Sequence, residues 1–321
     1  MAWDVAVAAF AAMVGAGFVS GREVFVFFAM HGATGALLAL GATLLLALGT
    51  WRTAQTAPRV PHVAPFWRTL LAAFSFVTLS AVLAAIASLL HARMGLPAPF
   101  GGAIAALLAA LVQQHGTTSL RRWQGLMLVL VVVTVLLTAS LGLLKLPPAA
   151  LTVAASPLQA VLAVFGYAAY NLALASDGVR RSALGQGVPG RRGAFAGGLA
   201  AGLLLTLEAV VLARSGTAIA GADLPLREVA LHLHDLLGVG VEVAIALASL
   251  SAAASFLQGS ADLFGGTWTT AGLAFLLSTL GVQAIVDRAY PAMAAIALLW
   301  MLALLWPSVL ADRHGPNRQG R

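Results

Sequence analysis

Arg22 and Glu23 stand side by side inside an apolar run near the N-terminus, directly after Met13-Val14-Gly15-Ala16-Gly17-Phe18-Val19-Ser20-Gly21. A charged side chain at bilayer depth costs at least about 2.5–3.5 kcal/mol on insertion scales, and a glycine inside a helix about 1 kcal/mol relative to alanine. A helix that carries both is expected to unwind, so that freed backbone groups and ionisable side chains form a site. Carbonyls that end one half-helix can hold a cation, and amides that start the next attract a carboxylate. This nominates Gly15, Ala16, Gly17 and Phe18 as substrate-binding positions. The plainer alternative is that Gly15 and Gly17 only let helices approach closely.

Successive residues on a helix diverge by about 100°, so Arg22 and Glu23 cannot neutralise each other and each needs another partner. Asp177, Glu208 and Glu242 are the candidates for Arg22, with Glu208 and Glu242 favoured by depth. Arg22 then serves gating or a structural ion pair that locks the bundle. Glu23 and Glu208 are candidate titrating carboxyls, able to carry a proton or to meet a substrate amine. A second polar group lies at Phe165-Gly166-Tyr167-Ala168-Ala169-Tyr170-Asn171. Phe165, Gly166, Tyr167, Tyr170 and Asn171 are nominated to line the same pocket, the alternative being helix-to-helix hydrogen bonds worth about 0.6 kcal/mol on average in membranes. No nucleophile with a nearby base, no phosphate loop and no metal-ligand spacing occurs, and cysteine is absent. Neither an enzyme nor an ATP-driven pump is expected, and no cofactor beyond a coupling proton or sodium ion.

The elements that position these groups are membrane helices. Of 321 residues 60% are hydrophobic and 9% charged, and a mean hydropathy of +0.94 leaves no water-facing surface to build. Ten apolar segments are predicted near 3–30, 32–51, 67–91, 98–114, 123–145, 157–177, 193–214, 238–258, 266–285 and 290–310, in one transport domain with a disordered tail at 312–321. The net charge of +7 sits in short loops and reads as topology, not as nucleic-acid binding. Loops after even-numbered segments hold twelve of the Lys and Arg residues and the other loops five, which predicts both termini in the cytoplasm. Residues 225–237, opened by Pro225 and with leucines at helical spacing, are predicted to form an amphipathic helix at the outer surface, able to serve as a cap. Trp51, Trp67, Trp123, Trp300 and Trp306 are read as interface anchors.

Ten segments divide into repeats of about 3–145 and 157–310. Each half crosses an odd number of times, so the halves run in opposite directions: an all-α integral membrane fold of ten transmembrane helices as a five-plus-five inverted repeat. Segments 1 and 6 both begin their half and both carry a central glycine. Interrupted helices at corresponding positions mark the binding site of many secondary transporters.

Gly15-Ala16-Gly17-Phe18-Val19-Ser20-Gly21-Arg22-Glu23 closely resembles the signature of the YkvI-like family of bacterial membrane proteins, and Tyr170-Asn171-Leu172-Ala173-Leu174 is similar to a tyrosine-asparagine stretch of that family. The family is regarded as a distant branch of the amino acid, polyamine and organocation superfamily. The resemblance implies a LeuT-like fold in a bacterial inner membrane and secondary transport of a small solute, an amino acid or a related compound. In sodium-coupled members segment 8 supplies neighbouring hydroxyls to an ion also held by carbonyls of segment 1. Here Ser251 and Ser255 are four apart on one helix face rather than adjacent, so a sodium site at Val14, Gly17, Ser251 and Ser255 departs from that pattern. The expected function is alternating-access transport of a small polar solute coupled to protons or sodium. The alternative is a ligand-binding membrane sensor or accessory subunit without net transport. A channel is disfavoured because no segment has a continuous polar stripe, and the oligomeric state is not legible.

Overall fold

A computed structural model describes residues 2–56, 65–114, 117–147 and 156–305. Expectations for Arg59, Trp306, Arg313, Arg318, Arg321 and the tail at 312–321, and for the end of segment 10 past 305, fall outside the described residues, as does the Trp123 side chain. All regular structure among the described residues is helical. The first segment is split into α1 (Ala2–Met13), α2 (Ala16–Ser20) and α3 (Arg22–Phe27), and continues through a 3-10 turn (Ala29–His31) into α4 (Gly32–Thr56). Then follow α5 (Pro65–Met94), α6 (Ala98–Gln114) and α7 (Thr117–Lys145). The second half opens with α8 (Pro157–Val161), a π-helical turn (Leu162–Gly166) and α9 (Tyr167–Ala183). It continues with α10 (Gly187–Ser215), α11 (Pro225–Leu233), α12 (Asp235–Ser260), α13 (Thr267–Ser278) and α14 (Val282–Leu305).

Among the described residues seven stretches are long and apolar enough to cross a membrane: Arg22–Thr56, Phe66–Met94, Met127–Lys145, Pro157–Ala183, Gly187–Ser215, Asp235–Leu263 and Val282–Leu302. Ala2–Met13 and Ala98–Gln114 are shorter apolar helices. The predicted count of ten therefore meets the length criterion in seven stretches. Segment 9 is the clearest correction: α13 stops at Ser278 instead of 285, and Gly281, at φ 87°, turns the chain into α14 at Val282. Segment 6 is corrected as well. Val161, Leu162, Gly166 and Tyr167 all keep right-handed helical backbone, so its disturbance is a π turn in a continuous helix and not an unwound section.

α10 is the spine of the bundle and packs on α1, α4 and α7. Its glycines allow this: a Cβ on Gly202 would lie 2.6 Å from Cγ2 of Thr43 on α4. The Thr43 hydroxyl bonds the Gly202 carbonyl at 2.6 Å and the Thr206 hydroxyl at 3.0 Å, which ties the two helices where no water competes. Trp51 is exposed as an interface anchor would be, but Trp300 is buried in the core.

The end of the bundle predicted to face outward is closed by α11. Pro225 at its first turn and a hydrophobic face of Leu226, Val229, Ala230 and Leu233 explain the helix, and that face is buried rather than lying on a surface. One salt bridge ties it to α12, where Arg227 donates to Glu242 Oε1 at 2.7 Å; Arg93 of α5 pairs with the other Glu242 oxygen. Lys145 donates to the Leu233 carbonyl at 3.4 Å.

Candidate functional site

The first segment is broken twice. Gly15 is extended (φ −89°, ψ −172°), the helix resumes as α2 for five residues, and Gly21 then adopts the left-handed conformation (φ 79°). Gly21 ends α2 as a helix-terminating glycine does, its N–H donating to the Phe18 carbonyl at 2.8 Å. The unwinding predicted across Gly15 to Gly17 is thus confined to Val14 and Gly15, and Gly17 lies inside α2. Phe18 is buried. Ser20 stitches the second break: its hydroxyl donates to the Gly17 carbonyl at 2.9 Å and accepts from the Arg22 N–H at 3.3 Å.

Both glycines act as seats for carboxyl groups. A Cβ at Gly17 would lie 2.5 Å from Oε2 of Glu23. A Cβ at Gly21 would lie 2.7 Å from the Leu226 backbone nitrogen and 3.2 Å from Oε1 of Glu208. Gly17 and Gly21 are four residues apart, so two carboxyls, one from α3 and one from α10, press on the same short helix. Glu23 is 4% exposed and Glu208 0%. Neither Glu208 oxygen has a hydrogen-bond partner among the described residues.

Arg22 does not neutralise them. Its guanidinium forks onto both oxygens of Asp287 on α14, with Nε to Oδ1 at 2.9 Å, and donates to the carbonyls of Ala220 and Ala222 at 2.6 and 3.3 Å. Its carbon lies 5.7 Å from the Phe25 ring centroid, within cation–π range. The predicted partners are all corrected: Asp177 pairs with Arg181 on the exposed face of α9 at 3.2 Å, Glu242 holds Arg93 and Arg227, and Glu208 stands apart. Asp287 was missed because it falls between predicted segments, where a carboxylate reads as a solvated loop residue. It also borders a cavity of about 350 Å³ at the α11 end, lined by Asp223, Gln283, Ala284, Asp287 and Arg288.

Around Glu23 the second half supplies the nominated residues. The Asn171 amide donates to Glu23 Oε1 at 3.4 Å and to the Tyr167 carbonyl at 3.1 Å. The rings of Tyr167 and Tyr170 join a buried cluster: Phe27 to Tyr167 at 5.4 Å, Phe27 to Tyr170 at 6.2 Å, Phe28 to Tyr167 at 5.0 Å, Tyr167 to Tyr170 at 5.7 Å and Tyr170 to Tyr290 at 5.4 Å. Tyr290 of α14 was not nominated, and its buried hydroxyl lacks a hydrogen-bond partner among the described residues. Gly166 lets α14 approach, a Cβ there lying 3.0 Å from that of Ala294. Phe165 is 41% exposed and does not belong to this buried cluster.

The nominated sodium ligands are partly committed elsewhere. The Gly17 carbonyl accepts from Ser20, and the Ser255 hydroxyl donates to the Ser251 carbonyl at 3.1 Å. On α12 the Ser249 hydroxyl is buried without a hydrogen-bond partner among the described residues; its place outside the Ser251 and Ser255 spacing gave it no signal in the sequence.

No protein-family model matches the sequence, and no curated protein matches it. Among solved structures the chain is similar to the manganese transporter of Eremococcus coleocola. The crystal structure of that protein with an aromatic bis-isothiourea substituted compound gives a TM-score of 0.44 at 16% identity, over 98% of this chain and 72% of that one. A mutant of the same transporter gives a TM-score of 0.42 at 16% identity, over 97% and 72%. At this identity and these TM-scores the likeness carries neither fold nor function across.

Proposed function

We propose that this chain is a secondary transporter that moves a small polar solute, an amino acid or a related compound, by alternating access, with Glu23 as the carboxyl that meets the solute's amine and Glu208 as the group that takes up and releases a coupling proton. The observation that carries the reading is the pair of buried carboxyls seated over Gly17 and Gly21 in a twice-broken membrane helix, with no basic residue paired to either among the described residues. An ionised carboxyl in such surroundings is costly, so a proton or cation that neutralises it stabilises one arrangement of the bundle over another. That differential is what transport coupling requires.

The Arg22–Asp287 pair supplies the gate on this reading. It joins α3 to α14 and to the 220–222 loop beside the cavity at the α11 end, so a passage from that cavity to Glu23 opens only when the fork separates. Sodium coupling is the second reading. It is favoured by the Ser249 hydroxyl on α12, which has no hydrogen-bond partner among the described residues, on a helix that packs on α2.

Uptake of labelled amino acids and amines into proteoliposomes with an imposed pH gradient tests the proposal. Accumulation is expected for wild type; Glu208→Gln is expected to lose pH-driven accumulation while retaining solute exchange, and Glu23→Gln is expected to lose both. Unchanged accumulation in both variants, together with a requirement for sodium, would overturn the proton assignment. Ligand-induced stabilisation with no gradient-dependent uptake would overturn transport itself.

A further inference from the structure

We infer that the groove between α4 and α10, at the end of the bundle opposite α11, holds an anionic phospholipid, its phosphate on Arg192 and its acyl chains along α4. The site stands apart from Glu23 and Glu208, and it requires only that the chain crosses a membrane.

Shape is the first argument. A cavity of about 320 Å³ is lined by Leu48 and Trp51 of α4 and by Arg192 and Phe195 of α10. Each pair is three residues apart, so each helix contributes two side chains from one face. Beneath them the two helices are sealed against each other, because a Cβ on Gly198 would lie 2.3 Å from the Thr50 hydroxyl oxygen. The groove therefore has a closed floor and opens outward. Leu48, Trp51 and Phe195 are exposed, and Leu40 and Leu44 extend the same exposed stripe along α4 at spacings of four residues. On a helix that crosses a membrane such a stripe faces acyl chains, and a tryptophan at its end sits at headgroup level.

Charge is the second argument. Arg192 is exposed and has neither a salt bridge nor a hydrogen-bond partner among the described residues. At its end of the bundle Arg52, Arg68, Arg180, Arg181, Arg191 and Arg192 stand against Asp4, Asp177 and Asp262, and Asp177 is taken by Arg181. At the α11 end, by contrast, Arg22, Arg93 and Arg227 are matched by Asp287, Glu242 and Glu228. An unneutralised guanidinium at the rim of an apolar groove suits a lipid phosphate, which it can grip with two parallel N–H···O bonds, and basic pockets between membrane helices hold anionic headgroups. A free phosphate would satisfy Arg192 and leave the apolar walls unused. A second copy docked here by two-fold symmetry would set the same arginine-rich patch against itself.

Tryptophan quenching by brominated lipid tests the site in the full-length protein reconstituted in phosphatidylcholine bilayers. Brominated-chain phosphatidylglycerol is expected to quench at a mole fraction about tenfold lower than brominated-chain phosphatidylcholine, and Trp51→Phe is expected to remove that high-affinity component. Arg192→Gln is expected to lower the preference about fivefold, the share of one basic residue near a bilayer surface. Arg181→Gln, whose side chain pairs with Asp177 on the exposed face of α9, is expected to leave it unchanged. All three substitutions are at exposed positions, and monodispersity on size exclusion confirms their fold. Equal quenching by the two lipids overturns the inference, as does survival of the high-affinity component in Trp51→Phe. An unchanged preference in Arg192→Gln, or an equal loss in Arg181→Gln that marks diffuse surface charge only, overturns it too, and so does a dimer that keeps both lipids from Trp51. Failure of gradient-driven uptake refutes the transporter reading and leaves this lipid site standing.

Discussion

Alanine at Gly17 and at Gly21 should separate the two roles of the broken helix. At Gly17 the added Cβ lands 2.5 Å from Oε2 of Glu23, nearly 1 Å inside an ordinary C···O contact of about 3.3–3.6 Å. The obstructing atom is the far end of a flexible side chain, so rotation relieves the clash at about 0.5–1.5 kcal/mol. Alanine's better helix propensity returns about 1 kcal/mol of that, which leaves stability close to wild type. The carboxyl, however, has moved off its seat. At Gly21 the added Cβ meets the Leu226 backbone nitrogen at 2.7 Å and its Cβ at 3.0 Å, in a residue with φ 79°. The left-handed backbone costs about 1–2 kcal/mol and the crowding about 1–3 kcal/mol, together about 2–5 kcal/mol, because α11 cannot yield without losing its ties to α12. Thermal unfolding in detergent and proteoliposome uptake should therefore dissociate. Gly21→Ala is expected to lower the melting temperature by several degrees, whereas Gly17→Ala is expected to melt near wild type yet lose uptake. Gly17→Ala melting as early as Gly21→Ala, or transporting normally, would refute the assignment of Gly17 as the seat of Glu23.

Asp287→Ala should destabilise the fold by about 1–3 kcal/mol by stranding the Arg22 guanidinium, and in a double-mutant cycle with Arg22→Ala, read from melting temperatures, the second substitution should cost less than it does alone. Thr43→Val should cost about 0.6 kcal/mol, and at most about 1.7, through the lost tie between α4 and α10, with uptake unaffected. Glu242→Gln should loosen α11 by breaking its link through Arg227 and that of Arg93, read as faster amide exchange across Pro225–Leu233 with α12 unchanged.

The first helix break was legible because glycine and charge both contradict an apolar run, and composition alone signals that conflict. The second was not. Gly21 follows Ser20 as a helix-terminating glycine, but its φ 79° depends on α11 and Glu208 closing over it, contacts made by residues some 190 positions later. Arg22's partner was hidden by a boundary error: with segment 9 drawn to 285, Asp287 falls in a loop, whereas α14 starts at Val282 and carries Asp287 within the helix. Only Thr279, Leu280 and Gly281 separate those helices, and hydropathy does not register so short a break. The tyrosine-asparagine cluster was legible as polar groups in an apolar helix. Phe165 was included because an interruption was expected there, and the π turn leaves it facing outward.

Adjacent residues with opposite fates show how coupling can arise on the proposed reading. Arg22 is fully compensated at the α11 end by Asp287 and two carbonyls, so its charge is indifferent to what the centre holds, provided the fork stays closed. Glu23 and Glu208 are uncompensated, and each charge left bare in a reorienting bundle costs at least about 2.5–3.5 kcal/mol. A cation at Glu23 and a proton on Glu208 leave the centre neutral. One without the other leaves a single bare carboxylate, and a reorientation rate about 100-fold lower by the same figure, since each 1.36 kcal/mol is tenfold. Movement with both bound is then favoured over movement with one. The solute and the proton are linked without touching each other, through the two glycines on which their carboxyls rest. Glu208→Gln removes one of the two penalties permanently. It should therefore convert coupled accumulation into pH-independent facilitated exchange of the same cargo, measurable as equal rates of labelled-solute exchange at pH 6 and pH 8. A persistent pH dependence in that variant would place the coupling proton elsewhere.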